Sequence, residues 1–166
     1  GLSAETATGH PLPTEDGPVT PDGTPTGGDP LGSLDLAGAR ELVTSPDGDT
    51  AYVATGGGIA LVDIVAPANP RLLAERTDLL ADSADGPMAY VQDVAVSDDR
   101  LLVVGPAHPA DGAHGLVVFD VSDRENPDRV TAYETATRIH NCDFDGRSAY
   151  PAGVGRVDSP LVVVAT

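Results

Sequence analysis

From about Leu34 onward the chain alternates short apolar runs with polar turns rich in Asp, Gly, Asn and Pro. No stretch of 10 or more residues combines a helical period with caps, so the pattern predicts an all-β chain. Two stretches align without a gap: Gly58-Ile-Ala-Leu-Val-Asp-Ile-Val-Ala-Pro-Ala-Asn-Pro70 and Gly115-Leu-Val-Val-Phe-Asp-Val-Ser-Asp-Arg-Glu-Asn-Pro127. Each holds a glycine, an apolar strand ending in aspartate (Asp63, Asp120), a polar turn and Asn-Pro. A hairpin precedes each copy. The first reads Leu42-Val43-Thr44, the turn Ser45-Pro46-Asp47-Gly48, then Ala51 to Ala54, with Pro and Asp-Gly where a tight reversal needs them. Val94 to Val104, turning at Ser97 to Arg100, is the second hairpin, and Cys142 to Tyr150, turning at Asp145-Gly146-Arg147, is the third.

Hairpin plus repeat gives a four-strand unit recurring about every 50 residues, the spacing of a β-propeller blade. The expected fold is an incomplete β-propeller over residues 34–166, with blades at about 39–80, 90–136 and 138–166, the last only started. A closed ring needs about four blades or more. Three origins are open: a truncated product, a fragment, or a subunit that self-associates to complete the propeller.

Residues 1–33 are rich in Thr, Pro, Gly and acid, with no apolar period, and read as a disordered acidic leader. A spacer behind an export signal would have this composition, so the expected location is extracellular or the cell surface. Nine Arg plus Lys stand against 26 Asp plus Glu, a formal charge of −17, and every cation is arginine. Such an excess of carboxylate excludes nucleic acid and anionic surfaces as partners, because phosphate contacts need neutralising cations. It also indicates adaptation to molar salt, where repulsion is screened within a few ångströms. No apolar run approaches the ~20 residues of a membrane span. The single cysteine, Cys142, rules out an intramolecular disulfide and any cysteine-based zinc cluster.

Ala60-Leu-Val-Asp63 and Val117-Val-Phe-Asp120, with the turns behind them, resemble the LVIVD-repeat β-propellers, whose turn reads Asp-x-Ser-x-Pro-x-Asn-Pro. The first copy keeps Pro67 but has Val65 in place of the serine. The second keeps Ser122 but has Arg124 in place of the proline. His140-Asn141 resembles the family's His-Asn at a first-strand start. In the third blade Ala165 stands where the aspartate belongs, and Pro151 falls within the second strand. The resemblance implies a propeller, often exported in halophilic archaea, with no settled activity.

Registering the hairpins on their turns aligns Arg40-Glu41, Gln92-Asp93 and His140-Asn141 at the strand-one starts, the mouth of a propeller channel. These are the candidate ligand-binding residues, although polar groups there also satisfy loop amides or meet channel water. The loop Gly105 to His114 opens on the same face. His108, Asp111 and His114 with His140 form a candidate nitrogen and oxygen site for a transition metal such as zinc or copper. The same loop, with two prolines and two glycines, also reads as a plain solvated excursion. Alternation places His140 and Cys142 on one side of a strand, with the thiol buried and inert. No nucleophile elbow, phosphate loop or dinucleotide fingerprint is present. The sequence therefore points to a non-catalytic binding or structural scaffold of unknown ligand. The competing reading is a metal-dependent enzyme with its metal on His140 and the loop histidines; the scaffold reading needs no cofactor.

Overall fold

A computed structural model describes residues 30–77, 79–106, 112–154 and 163–165. The expected leader lies outside them up to residue 29, and residues 30–36 run without helix or strand. The strands are β1 (Ala39–Thr44), β2 (Thr50–Thr55), β3 (Gly58–Asp63), β4 (Arg71–Arg76), β5 (Asp93–Ser97), β6 (Arg100–Gly105), β7 (Gly115–Asp120), β8 (Asp128–Glu134), β9 (Arg138–Phe144), β10 (Ser148–Val154) and β11 (Val164–Ala165). They form three antiparallel sheets, β1-β2-β3-β4, β5-β6-β7-β8 and β9-β10-β11. No helix occurs among the described residues. The chain is all-β, in an arrangement consistent with part of a propeller.

The turns explain the hairpins. Asp47 accepts from the Ser45 hydroxyl at 2.5 Å and from the Asp49 amide at 3.0 Å, which closes the β1–β2 reversal. Gly48, at φ 78°, occupies the left-handed position that this turn requires. Asp98 at φ 48° and Gly146 at φ 84° take the corresponding places in the second and third hairpins. Aspartate is among the few side chains that tolerate that conformation.

The repeat extends below the level of the strands. The β3–β4 ladder shifts register between Leu61 and Val62, and the β7–β8 ladder shifts at the equivalent Val118 and Phe119. The Ile64 amide donates to the Asp49 carbonyl at 2.9 Å, and Val121 to Asp99 at 2.8 Å. Between sheets, the Val91 amide donates to the Gly56 carbonyl at 2.6 Å, and the Ile139 amide to the Pro106 carbonyl at 3.2 Å. In register these are one bond made twice, tying the entry of each new sheet to the residue just past the second strand of the sheet before it.

Packing follows from alternation along the central strands. Tyr52, Ala54, Ile59 and Leu61 point from the first sheet to the second, which answers with Leu101, Val103, Val117 and Phe119. Leu79, Leu80, Met88 and Val91 from the connecting segment fill the end of that layer. On its other face the second sheet offers Leu102, Val104, Leu116 and Val118 to Ile139, Phe144 and Ala149 of the third. The second sheet is therefore apolar on both faces. Sheets meet through their first strands, β5 against β1 and β2, and β9 against β5 and β6. Close approach is enforced at Gly58 and Gly115, where an added Cβ would lie 2.3 Å and 2.2 Å from the carbonyls of Arg76 and Tyr133.

Pro151 sits within β10 opposite Cys142, past the end of β11, which pairs only with Ser148 and Ala149.

Leu101 and Leu102 are both fully buried but face opposite layers. Leu101→Ala and Leu102→Ala are each expected to cost ~2–5 kcal/mol of unfolding free energy. Denaturant melts with hydrogen exchange should show the first loosening the Tyr52 layer and the second the Ile139 layer. Loss confined to one layer for both variants would contradict the two-faced packing.

Candidate functional site

The strand-one starts share a backbone irregularity that the sequence pattern does not announce. In β1 the pairing runs Ala39 to Thr55 and then Glu41 to Ala54, so Arg40 is an extra residue in a bulge. In β9 the pairing runs Ile139 to Gly153 and then Asn141 to Ala152, which makes His140 the extra residue at the same register. Gln92 precedes β5, and its amide donates to the carbonyl of Val104, the residue that pairs with Asp93. Bulges turn a side chain away from the ladder and recur beside binding sites. Arg40 and His140 are exposed, and Gln92 is half-buried. The Arg40 guanidinium lies over the Tyr90 ring, 4.8 Å from its centroid, a cation–π arrangement two residues from Gln92.

In two of the pairs the second member works on the backbone. Glu41 Oε1 accepts from the Leu42 amide at 3.2 Å, and Asp93 Oδ1 from the Val94 amide at 2.9 Å. Asp93 Oδ2 also accepts from the Cys142 amide at 2.8 Å, so it joins the second sheet to the third. Asn141 pairs with its neighbour instead, through a short contact between its Oδ1 and His140 Nδ1. Among the described residues the first strand of each sheet pairs on one side only, and the Glu41 and Asp93 carboxylates meet first-strand amides.

His140 and Cys142 do not share a side of β9, because the bulge breaks alternation between them. His140 is exposed, whereas Cys142 packs against the layer of Leu102 and Phe144. Burial first, and then the neighbouring Asp93 carboxylate, push the Cys142 thiol well above its ordinary value. That is an unreactive thiol.

Of the candidate metal ligands, His108 and Asp111 lie outside the described residues. His114 is half-buried before β7, where its carbonyl accepts from the Thr135 amide beyond the outer strand β8. His140 stands on the inner strand of the next sheet. Among the described residues no group of three or more His, Cys, Asp or Glu could hold a metal ion. An open groove of about 530 Å³ runs along β8 between Leu80, Asp82, Ser83 and Arg129 to Glu134. None of the expected site residues line it.

The repeat aspartates have a structural task. Asp63 Oδ1 accepts from the Val65 amide and Asp120 Oδ1 from the Ser122 amide, each at 3.0 Å. Their second oxygens take Arg71, at 3.3 Å, and Arg100. A third ion pair joins two sheets. Arg124 Nη2 reaches Asp47 Oδ2 at 2.5 Å, across 77 residues of sequence, and Nη1 reaches Thr50 Oγ1 at 2.8 Å. The Arg124 and Ser45 contacts hold the Asp47 carboxyl well below the usual carboxylate range.

Four-stranded antiparallel units built alike, tied by the same bonds and stacked face to face, define a repeat protein. The family model of the LVIVD repeat matches residues 45–77 and 89–135. No curated protein matches the chain. No helix among the described residues is long and apolar enough to cross a bilayer.

Hydrogen bonds from Ser122, first its hydroxyl and then its amide, lower the Asp120 carboxyl to about 2. A depressed carboxylate contributes stability that is present above its unfolded value of about 4 and is lost as pH falls through the native value. Ser122→Ala removes the largest cause, so it should lower the melting temperature at neutral pH. The gap between variant and wild type should close below about pH 2. A gap unchanged from neutral to that pH would mean that Ser122 acts through something other than Asp120.

Proposed function

We propose that this chain is part of a β-propeller and acts as a non-catalytic binding or structural scaffold. The observation that carries the reading is the pair of bulges at one register, Arg40 in β1 and His140 in β9, with Gln92 at the matching place before β5. Two sheets spend an irregularity to turn a polar side chain off the first strand, and in a propeller those strands line the channel. The three side chains differ, as they would to meet different parts of one ligand, and a cation, an amide and an imidazole favour an acidic or polyhydroxyl ligand. Burial keeps the Cys142 thiol protonated, and the repeat aspartates are occupied by turn amides and arginines.

The setting proposed for the scaffold is molar salt outside the cell. A formal charge of −17 without a single lysine supports it, since carboxylates at that density repel one another unless salt screens them.

Thermal melts of the full chain in molar KCl, with dicarboxylates, acidic and neutral oligosaccharides and zinc chloride as probes, test the reading. The expected result is an organic probe that raises the melting temperature without being consumed, with the rise lost in Arg40→Ala and His140→Ala. The same protein without a probe should melt lower in dilute buffer. A probe whose effect survives both substitutions would contradict the site. Stoichiometric zinc lost together in His140→Ala and His108→Ala would instead establish the metal-dependent alternative. A melting temperature indifferent to salt would remove the saline setting.

A further inference from the structure

The face of the first sheet turned away from the second is closed by the segment that leads into β1. Ala51, Val53, Ala60 and Val62 form an apolar cluster of their own there, and all four are buried. Leu36 packs against them, together with Ile64. Their register counterparts in the second sheet are Leu101, Val103, Val117 and Phe119, which meet a whole neighbouring sheet and are larger at three of the four positions. A face of small alanine and valine side chains leaves room for a single thickness of chain.

Residues 32–38 cross that face from one end of β3 to the other. At the β3–β4 turn Gly32 lies so close that an added Cβ would stand 2.4 Å from the Pro67 carbonyl oxygen and 2.7 Å from that of Ala68. At the β2–β3 turn the Gly38 carbonyl accepts from the Gly56 amide at 3.2 Å, with Gly38 at φ 74°. The six steps between these glycines reach ~20 Å when extended, about the length of a strand such as β3. Leu36 is the side chain that anchors the crossing, whereas Leu31 and Leu34 remain 53% and 37% exposed. A segment held by so few contacts belongs to the part of a protein that opens before the sheets do.

The crossing ends at the candidate site. Gly56 takes the Gly38 carbonyl on its amide and gives its own carbonyl to the Val91 amide at 2.6 Å. Arg40 follows Gly38 by two residues, and Tyr90, under the Arg40 guanidinium, precedes Val91. Gly56 therefore joins the two segments whose side chains make the cation–π pair. We infer that residues 30–38 are a strap whose seating on the outer face of the first sheet positions Arg40, and that lifting the strap releases Arg40 while the sheets stay folded. With Leu36 off its cluster the Gly38 to Gly56 bond is lost, nothing fixes the chain entering the Arg40 bulge, and the guanidinium leaves the Tyr90 ring. Strap displacement is then a switch on the binding site. Its effect on a ligand rests on the binding role proposed for Arg40; the coupling of strap to Arg40 does not.

Hydrogen exchange and NMR of the full chain in molar KCl read this coupling without a ligand. Leu36→Asp sets a charge on the apolar cluster, and Gly32→Val collides with the Pro67 and Ala68 carbonyls at the far end of the strap. Each should speed exchange of the Gly56 amide by about tenfold or more, as local opening does. Each should also remove the ring-current shift that Tyr90 imposes on the Arg40 side-chain protons. Leu36→Met should hold both readouts at the wild-type values. In Gly32→Val the Ala60 and Val103 amides should keep their protection, and the rise in melting temperature produced by a dicarboxylate should shrink. A Gly56 amide and an Arg40 shift unchanged in both Leu36→Asp and Gly32→Val would overturn the inference. So would changes that appear only when the Ala60 and Val103 amides lose protection as well. If no dicarboxylate stabilises the wild-type chain, the binding proposal loses that ligand class, and the two spectroscopic readouts still decide the strap.

Discussion

Everything in this molecule depends on central strands that are apolar on both faces. β6 carries Leu101 and Val103 to one side and Leu102 and Val104 to the other, all four fully buried. A sheet of that kind cannot stand alone in water, since each such side chain left exposed forfeits about 1.5–3 kcal/mol. Stacking is therefore a requirement of the sequence, and the repeat is the means of meeting it: every sheet is both cover and core for its neighbours. The second sheet, enclosed on both sides, shows the finished state.

Stacking apolar faces sets a distance but leaves the sheets free to slide. Polar contacts at the edges remove that freedom. The Val91 to Gly56 and Ile139 to Pro106 bonds set each sheet against its predecessor at the inner strand, and Asp93 adds a carboxylate bridge to the Cys142 amide. Arg124 locks the far end of the first layer on Asp47 and Thr50. Several of these contacts spend a carboxylate, and a chain with 26 acidic residues and nine arginines has many to spare and few cations to pair with them. Arg71, Arg76, Arg100, Arg124 and Arg129 are placed where one guanidinium ties two segments.

The strands and turns were legible in the sequence because each is marked by residues whose physics is local. Gly58 and Gly115 start strands where no Cβ fits, and Asp63 and Asp120 end them on turn amides. Register carried the three polar pairs to equivalent places as well. The bulges were hidden, since an extra residue at Arg40 or His140 changes the ladder without changing any letter, and the alternation assumed between His140 and Cys142 failed for that reason. The Arg124 to Asp47 clamp was hidden by its separation along the chain. In the sequence Arg124 shows only as a departure from the proline of Pro67, and its use becomes visible once the sheets are stacked. The histidine loop contributes nothing to this account, because His108 and Asp111 fall outside the described residues.

Native-state hydrogen exchange of the Val91 and Ile139 amides tests the stacked repeat most directly. Neither residue owes its bond to pairing within its own hairpin; each donates to the carbonyl just past the second strand of the preceding sheet. If the sheets stack as described, both amides should exchange as slowly as the central-strand amides of Leu102 and Val117, and should lose protection together with them in denaturant. Fast exchange at both positions, with the strands still protected, would mean that the sheets form individually without the bond that joins one to the next.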